Sequence, residues 1–117
     1  MYSYPVETVL AEKLETIVTR GILNKRPRDY YDVYMLTQFS RFSIPTLKRA
    51  LLATAEHRGT KDMVEQEYAQ RIETIAHSEH VQRQWKKYRK TFSYARDIPF
   101  ETVLAATHDL LEKVMSA

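Results

Sequence analysis

Ala11-Glu12-Lys13-Leu14-Glu15-Thr16-Ile17-Val18-Thr19-Arg20-Gly21, followed across a short basic loop by Asn24-Lys25-Arg26-Pro27-Arg28-Asp29-Tyr30-Tyr31-Asp32-Val33-Tyr34, decides how this chain is read. At roughly 100° per residue, Val6, Val9, Leu10, Leu14 and Ile17 form one apolar stripe, which predicts an amphipathic helix. Lys13 falls inside that stripe, and Arg20 lies near its edge two turns on. Thr8, Glu12, Glu15 and Thr19 take the other side and are assigned to solvent. An ammonium directed at a core must reach water or find an anion, because an unpaired buried charge is very costly. Lys13 therefore asks for an anion.

The second segment supplies candidates. Pro27 suits a first helical position, where its missing N–H costs nothing. Asp29, Asp32, Val33 and Leu36 follow at helical spacing, so two carboxylates share one face with apolar residues. Gly21 can end the first helix. With so short a connection, the two helices are predicted to be antiparallel neighbours that bring these charges together. Spacing leaves two readings open. One is an interhelical salt bridge, with Asp29 also favoured by the helix dipole; the other is a ligand or catalytic site.

These residues also resemble a known family. Glu7-x-x-x-Ala11-Glu12-Lys13-Leu14, then Arg20, then Asn24-x-Arg26-x-Arg28-Asp29-x-Tyr31-Asp32 is similar to the C-terminal half of the AbiEii/AbiGii family. Those are nucleotidyltransferase-like toxins of bacterial abortive-infection (type IV) toxin–antitoxin systems. The likeness is tight over residues 4–36 and is that of a helical tail beyond them. It implies catalytic positions at Lys13, which would hold the triphosphate of an incoming nucleotide, and Asp29, which would position the acceptor hydroxyl or take its proton. Arg20, Arg28 and Asp32 are the substrate-binding candidates of the same two elements. Arg28 stands where a lysine is more usual, which keeps the charge and alters the geometry of a phosphate contact. The resemblance further implies Mg²⁺, a nucleoside triphosphate and an antitoxin partner.

The chain departs from that pattern in one respect. Phosphoryl-transfer chemistry in such a family requires a Gly-Ser element and an Asp-x-Asp pair to hold Mg²⁺. The two glycines, Gly21 and Gly59, do not precede serine, and no two of the five aspartates are separated by a single residue. The expectation is a single helical domain over residues 1–117, with no cofactor of its own, inactive alone and completed by an absent N-terminal metal-binding domain. A face left by that domain would favour self-association. Met1-Tyr2-Ser3-Tyr4 would then be the edge of the lost domain.

Composition sets the remaining bounds. Over 117 residues, 44% hydrophobic and 28% charged content fits one globular domain with a modest core, not disorder. No apolar run approaches a membrane span and no segment reads as a signal peptide, so no membrane partner is expected. Absence of cysteine excludes disulfides and thiolate metal sites and is compatible with a cytoplasmic location. Two glycines and four prolines favour helices throughout, and a formal charge of +3 permits a nucleic-acid or nucleotide partner. The four histidines show no metal-ligand spacing on a common helix face.

Downstream, Ser43 is a predicted N-cap for a third helix with Leu47, Ala50, Leu51 and Thr54 inward. Thr60 or Asp62 caps a fourth, with Val64, Tyr68, Ile72 and Ile75 inward. Ser78 caps a fifth, in which Val81, Trp85 and Tyr88 share a face while Arg83, Lys86, Lys87, Arg89 and Lys90 crowd the rest. Ile98, Pro99 and Phe100 open a sixth, with Val103, Leu104, Leu110, Leu111 and Val114 inward. On the fifth helix, two readings stand. Trp85 is a core residue under a solvated lysine face, or the aromatics stack on bases while Arg83, Lys86, Lys87 and Lys90 grip the phosphates of a nucleic acid such as tRNA. The predicted fold is all-α, an irregular bundle of about six helices whose first two form a site-bearing antiparallel hairpin. Its predicted role is the C-terminal part of a nucleotidyltransferase toxin. A nucleic-acid binding module and a structural or interaction remnant are the alternatives.

Overall fold

The computed structural model describes residues 5–117, which fold as six α-helices with no strand among them. These are α1 (Val6–Arg20), α2 (Arg28–Phe39), α3 (Ile44–His57), α4 (Lys61–Ala76), α5 (Glu79–Thr91) and α6 (Phe100–Met115). Single 3₁₀ turns at Gly21–Leu23 and Ser93–Ala95 lead out of α1 and α5. The all-α bundle expected from the sequence is therefore present. The expectation attached to Met1-Tyr2-Ser3-Tyr4 lies outside the described residues. No helix among the described residues is long and apolar enough to cross a membrane.

Local signals account for most helix ends. The Ser43 hydroxyl accepts from the Thr46 N–H at 3.3 Å, and the Ser78 hydroxyl from the Val81 N–H at 3.2 Å, each satisfying a donor that a helix start leaves free. Gly21 closes α1 with φ 53°, a left-handed conformation that a side chain resists. Its end is also closed from outside, because Arg71 of α4 donates to the Thr19 carbonyl at 3.3 Å. Thr60 precedes α4 as predicted, but its side chain does not cap the helix. It donates instead to Glu15 Oε2 at 2.8 Å.

That contact follows from the position of α1. Packed mainly on α3 and touching α2 and α4 as well, α1 is the central element, and Leu14, Glu15, Thr16, Ile17 and Val18 are buried in succession. A helix enclosed on several sides has no solvent face there. Glu15, assigned to water on the helical wheel, is only 3% exposed and is ion-paired to Arg58. Thr8 and Thr19 are half-buried for the same reason, and Glu12 is exposed as predicted.

Elsewhere the predicted stripes face inward. Leu47 and Leu51 of α3, Val64 and Ile75 of α4, and Val103 and Leu111 of α6 are fully buried around Leu10, Leu14 and Ile17. α2 rests mainly on α6, where the Tyr30 ring meets Phe100 edge-on at 5.3 Å. The Tyr30 hydroxyl is buried there and has no hydrogen-bond partner among the described residues. A hydroxyl desolvated without a partner destabilises a fold, so Tyr30→Phe should raise stability by about 1 kcal/mol in urea unfolding at pH 7. Burial, and then the Asp29 carboxylate, push the Tyr30 phenol well above its ordinary 10.0. The folded chain keeps it neutral while the unfolded chain ionises it, so stability should fall as pH rises above 10.0. Tyr30→Phe should lessen that alkaline loss; an unchanged alkaline slope would place the titrating group elsewhere.

Candidate functional site

The site is built where α1 meets the start of α2. Asn24, buried in the connecting loop, accepts from the Arg26 N–H at 3.3 Å through Oδ1, a short-range turn that sets the entry of α2. Its Nδ2 donates to Asp29 Oδ2 at 3.2 Å. Pro27 has helical dihedral angles immediately before Arg28 and fixes the approach. Asp29 is thereby held in the first turn, buried, with Lys13 Nζ 3.5 Å from Oδ1 and Arg26 Nε 3.3 Å from Oδ2. One turn on, Asp32 Oδ2 lies 2.9 Å from Lys13 Nζ and 3.6 Å from Arg28 Nε. Lys13 thus bridges both carboxylates, as an ammonium on an apolar stripe requires.

The cluster is open on one side. It lines a cavity of about 510 Å³ together with Pro27, Tyr88 and Phe92. On the other side of the Lys13–Asp32 pair, a more apolar groove of about 410 Å³ runs between Val6 and Val9 of α1 and Tyr31, Met35 and Leu36 of α2. Tyr31 packs on Tyr94 at 4.7 Å between ring centres, and the Tyr88 and Tyr94 hydroxyls are 2.6 Å apart. Burial, followed by the hydrogen bond from this Tyr94 contact, pushes the Tyr88 phenol well above its ordinary value. Burial likewise raises Tyr31.

Of the five predicted catalytic and substrate-binding positions, Lys13, Asp29, Arg28 and Asp32 come together. Arg20 does not. It is exposed and makes no ion pair among the described residues. The reason is the course of α2, which begins beside Lys13 and runs back along α1, so that Glu7 Oε2 accepts from the Ser43 N–H at 2.8 Å just beyond its end. Arg20 stands about 10 Å along α1 from Lys13 in the opposite direction. Two residues that earned no role from the sequence belong to the cluster, Asn24 and Arg26. Their signals were local: an Asx turn, and a cation three residues before Asp29.

On α5, Trp85 is 1% exposed and its Nε1–H donates to the Ile98 carbonyl at 2.8 Å, so its ring is a core element and not a platform for bases. Tyr88 is buried beside it. Lys86, Lys87 and Lys90 are exposed, whereas Arg83 pairs with Glu79 at 3.8 Å. Arg89 is committed to the Arg96 carbonyl at 3.0 and 2.7 Å. The large aromatic rings that reach the surface near these lysines are Phe92 and Tyr94.

The donor set does not fit Mg²⁺. Both oxygens of Asp29 and one of Asp32 face cations or the Asn24 amide, and no group of three His, Asp or Glu residues placed to hold a metal occurs among the described residues. A divalent ion seeks oxygen ligands that are not already neutralised. Three cations around two carboxylates leave positive charge over, and suit a further anion, such as a phosphate.

No curated protein and no solved structure matches the chain. A family model does: the nucleotidyl transferase AbiEii toxin of type IV toxin–antitoxin systems matches residues 1–106. That match spans α1 to α5 and enters α6, and so contains the whole Lys13–Asp29–Asp32 cluster. This chain belongs to the AbiEii nucleotidyl transferase toxin family.

Proposed function

We propose that the chain supplies the phosphate-binding part of a nucleotidyltransferase site, with Lys13, Arg26 and Arg28 receiving the triphosphate of a nucleotide. The observation that carries this reading is the convergence of those three cations on two carboxylates at the edge of an open cavity. A purely structural bridge needs Lys13 alone. Asp29, buried and held by Asn24, orients Lys13 and Arg26 by charge-assisted contacts. Asp32, with its side chain 21% exposed, is the carboxylate within reach of an acceptor hydroxyl, to position it or take its proton.

The Gly-Ser and Asp-x-Asp elements that the family's chemistry implies have no counterpart in these residues, and Mg²⁺ does not fit the cluster that is present. Transfer therefore requires a further segment that brings them, and the chain by itself is inactive. Membership of a type IV toxin–antitoxin family points to an antitoxin partner. Nucleoside triphosphate and a nucleic-acid acceptor are the other partners proposed, in the cytoplasm, with the exposed Lys86, Lys87 and Lys90 beside the acceptor.

Calorimetric titration with each nucleoside triphosphate tests this reading. Lys13→Ala should weaken binding roughly thirtyfold, the loss expected for a charge-assisted phosphate contact. Tm should move by only a few degrees, because Asp29 keeps Arg26 and Asn24, and Asp32 keeps Arg28. Unchanged affinity, or a collapse of Tm without any binding to lose, would make the bridge a purely structural one.

A further inference from the structure

The Lys13 cavity has a neighbour. A second recess, of about 300 Å³, is lined by Lys25, Lys87 and Thr91, and shares with the first a wall made of Pro27, Tyr88 and Phe92. No acidic side chain lines it. The wall ends in the exposed ring of Phe92, at 41%, against which the exposed ring of Tyr94, at 48%, packs from outside the two recesses. They are not loose. Phe92 lies 4.8 Å from the Tyr88 ring and 5.4 Å from Tyr94, whose hydroxyl is tied to that of Tyr88. The chain thus holds a rigid aromatic face in water between two cationic recesses.

The chemistry of that arrangement selects a ligand. A free nucleoside triphosphate has phosphates on one side of its base only, and the Lys13 recess alone would accommodate them. Two cationic recesses on either side of an aromatic wall match a ligand with phosphates flanking a base, which is a single-stranded nucleic acid. We propose that Phe92, with Lys25 and Lys87, binds the acceptor strand, with a base stacked on Phe92 and its phosphodiester on the two lysines. The strand's end is then directed at the Lys13 cavity. This rests on the triphosphate reading of that cavity. Base–aromatic stacking tolerates any sequence, and lysines at phosphates give a salt-dependent affinity.

The test is fluorescence anisotropy of the chain with a fluorescein-labelled single-stranded RNA hexanucleotide, alongside calorimetry with nucleoside triphosphate. Phe92→Leu keeps apolar bulk but removes the ring face, and should weaken hexanucleotide binding roughly tenfold. Phe92→Tyr, which keeps the ring, should restore it. Lys25→Gln with Lys87→Gln should reduce the slope of log affinity against log salt by about 1.4, the value for two single-strand phosphates. Triphosphate binding should be unchanged in the Lys25→Gln, Lys87→Gln variant, because neither lysine lines the Lys13 cavity. If the wild-type chain does not retain the hexanucleotide, or Phe92→Leu retains it equally well, the strand site is overturned even where Lys13→Ala abolishes triphosphate binding. Retention that depends on Phe92 in a chain that binds no triphosphate would support the strand site and overturn the reading of the Lys13 cavity instead.

Discussion

Trp85→Ala is expected to cost about 4 kcal/mol, a large fraction of the roughly 5–15 kcal/mol by which a domain is stable. Its indole is 1% exposed, stacks on Tyr88 at 5.3 Å and approaches Phe100 at 6.2 Å, joining α5 to the start of α6. Truncation removes those contacts, leaves a cavity, and deprives the Ile98 carbonyl of its donor. Trp85→Phe, which keeps a ring but not the N–H, should cost about half as much. Urea unfolding followed by circular dichroism measures both. A loss below about 1 kcal/mol for the alanine variant would mean that α5 is not anchored through Trp85.

Glu15→Ala is the second large effect, at about 3 kcal/mol. The Glu15 carboxylate joins elements distant in sequence: it accepts from Arg58, from the Thr60 hydroxyl at 2.8 Å and from the Thr19 hydroxyl at 3.3 Å. Arg58 and Thr60 form the joint between α3 and α4, so one buried carboxylate of α1 fixes how that corner closes. Its removal takes the carboxylate from a half-exposed guanidinium and leaves the Thr60 hydroxyl only the Ala55 carbonyl, at 3.3 Å. Arg58→Ala should cost somewhat less, because Glu15 retains both threonines while Arg58 already reaches water. Equal stability of wild type and Glu15→Ala in the same unfolding assay would show that the network contributes specificity only.

The contrast between these two residues shows what the sequence discloses. Helix starts at Ser43 and Ser78 were legible because a hydroxyl and an N–H three residues apart interact locally. The inward stripes of α3, α4 and α6 were legible because each helix buries one side. Glu15 was not, because a helical wheel presumes one buried face, and α1 is enclosed by α2, α3 and α4. The two partners that bury it, Arg58 and Thr60, lie 43 and 45 residues away, beyond any local pattern.

The site divides in the same way. Lys13, Asp29 and Asp32 could be found because charges at core-directed positions demand partners. Arg20 satisfied the same wheel but was misplaced, since spacing on one helix does not say where its neighbour begins. Asn24 acts through a loop conformation, and Phe92 gains meaning only when the end of α5 is set beside α2. Neither has a periodicity to reveal it.

The central claim is that phosphate is received by the cations around Asp29 and Asp32. Nitrogen-15 NMR of the chain, titrated with a nucleoside triphosphate, tests it most directly by locating the ligand. The account predicts that the Nε–H resonances of Arg26 and Arg28 and the backbone N–H of Asp29 shift together and saturate. The Nε–H of Arg58, whose Nη1 pairs with Glu15 in the α3–α4 corner, should stay in place. Shifts confined to other basic residues, with Arg26, Arg28 and Asp29 unmoved at saturation, would contradict it.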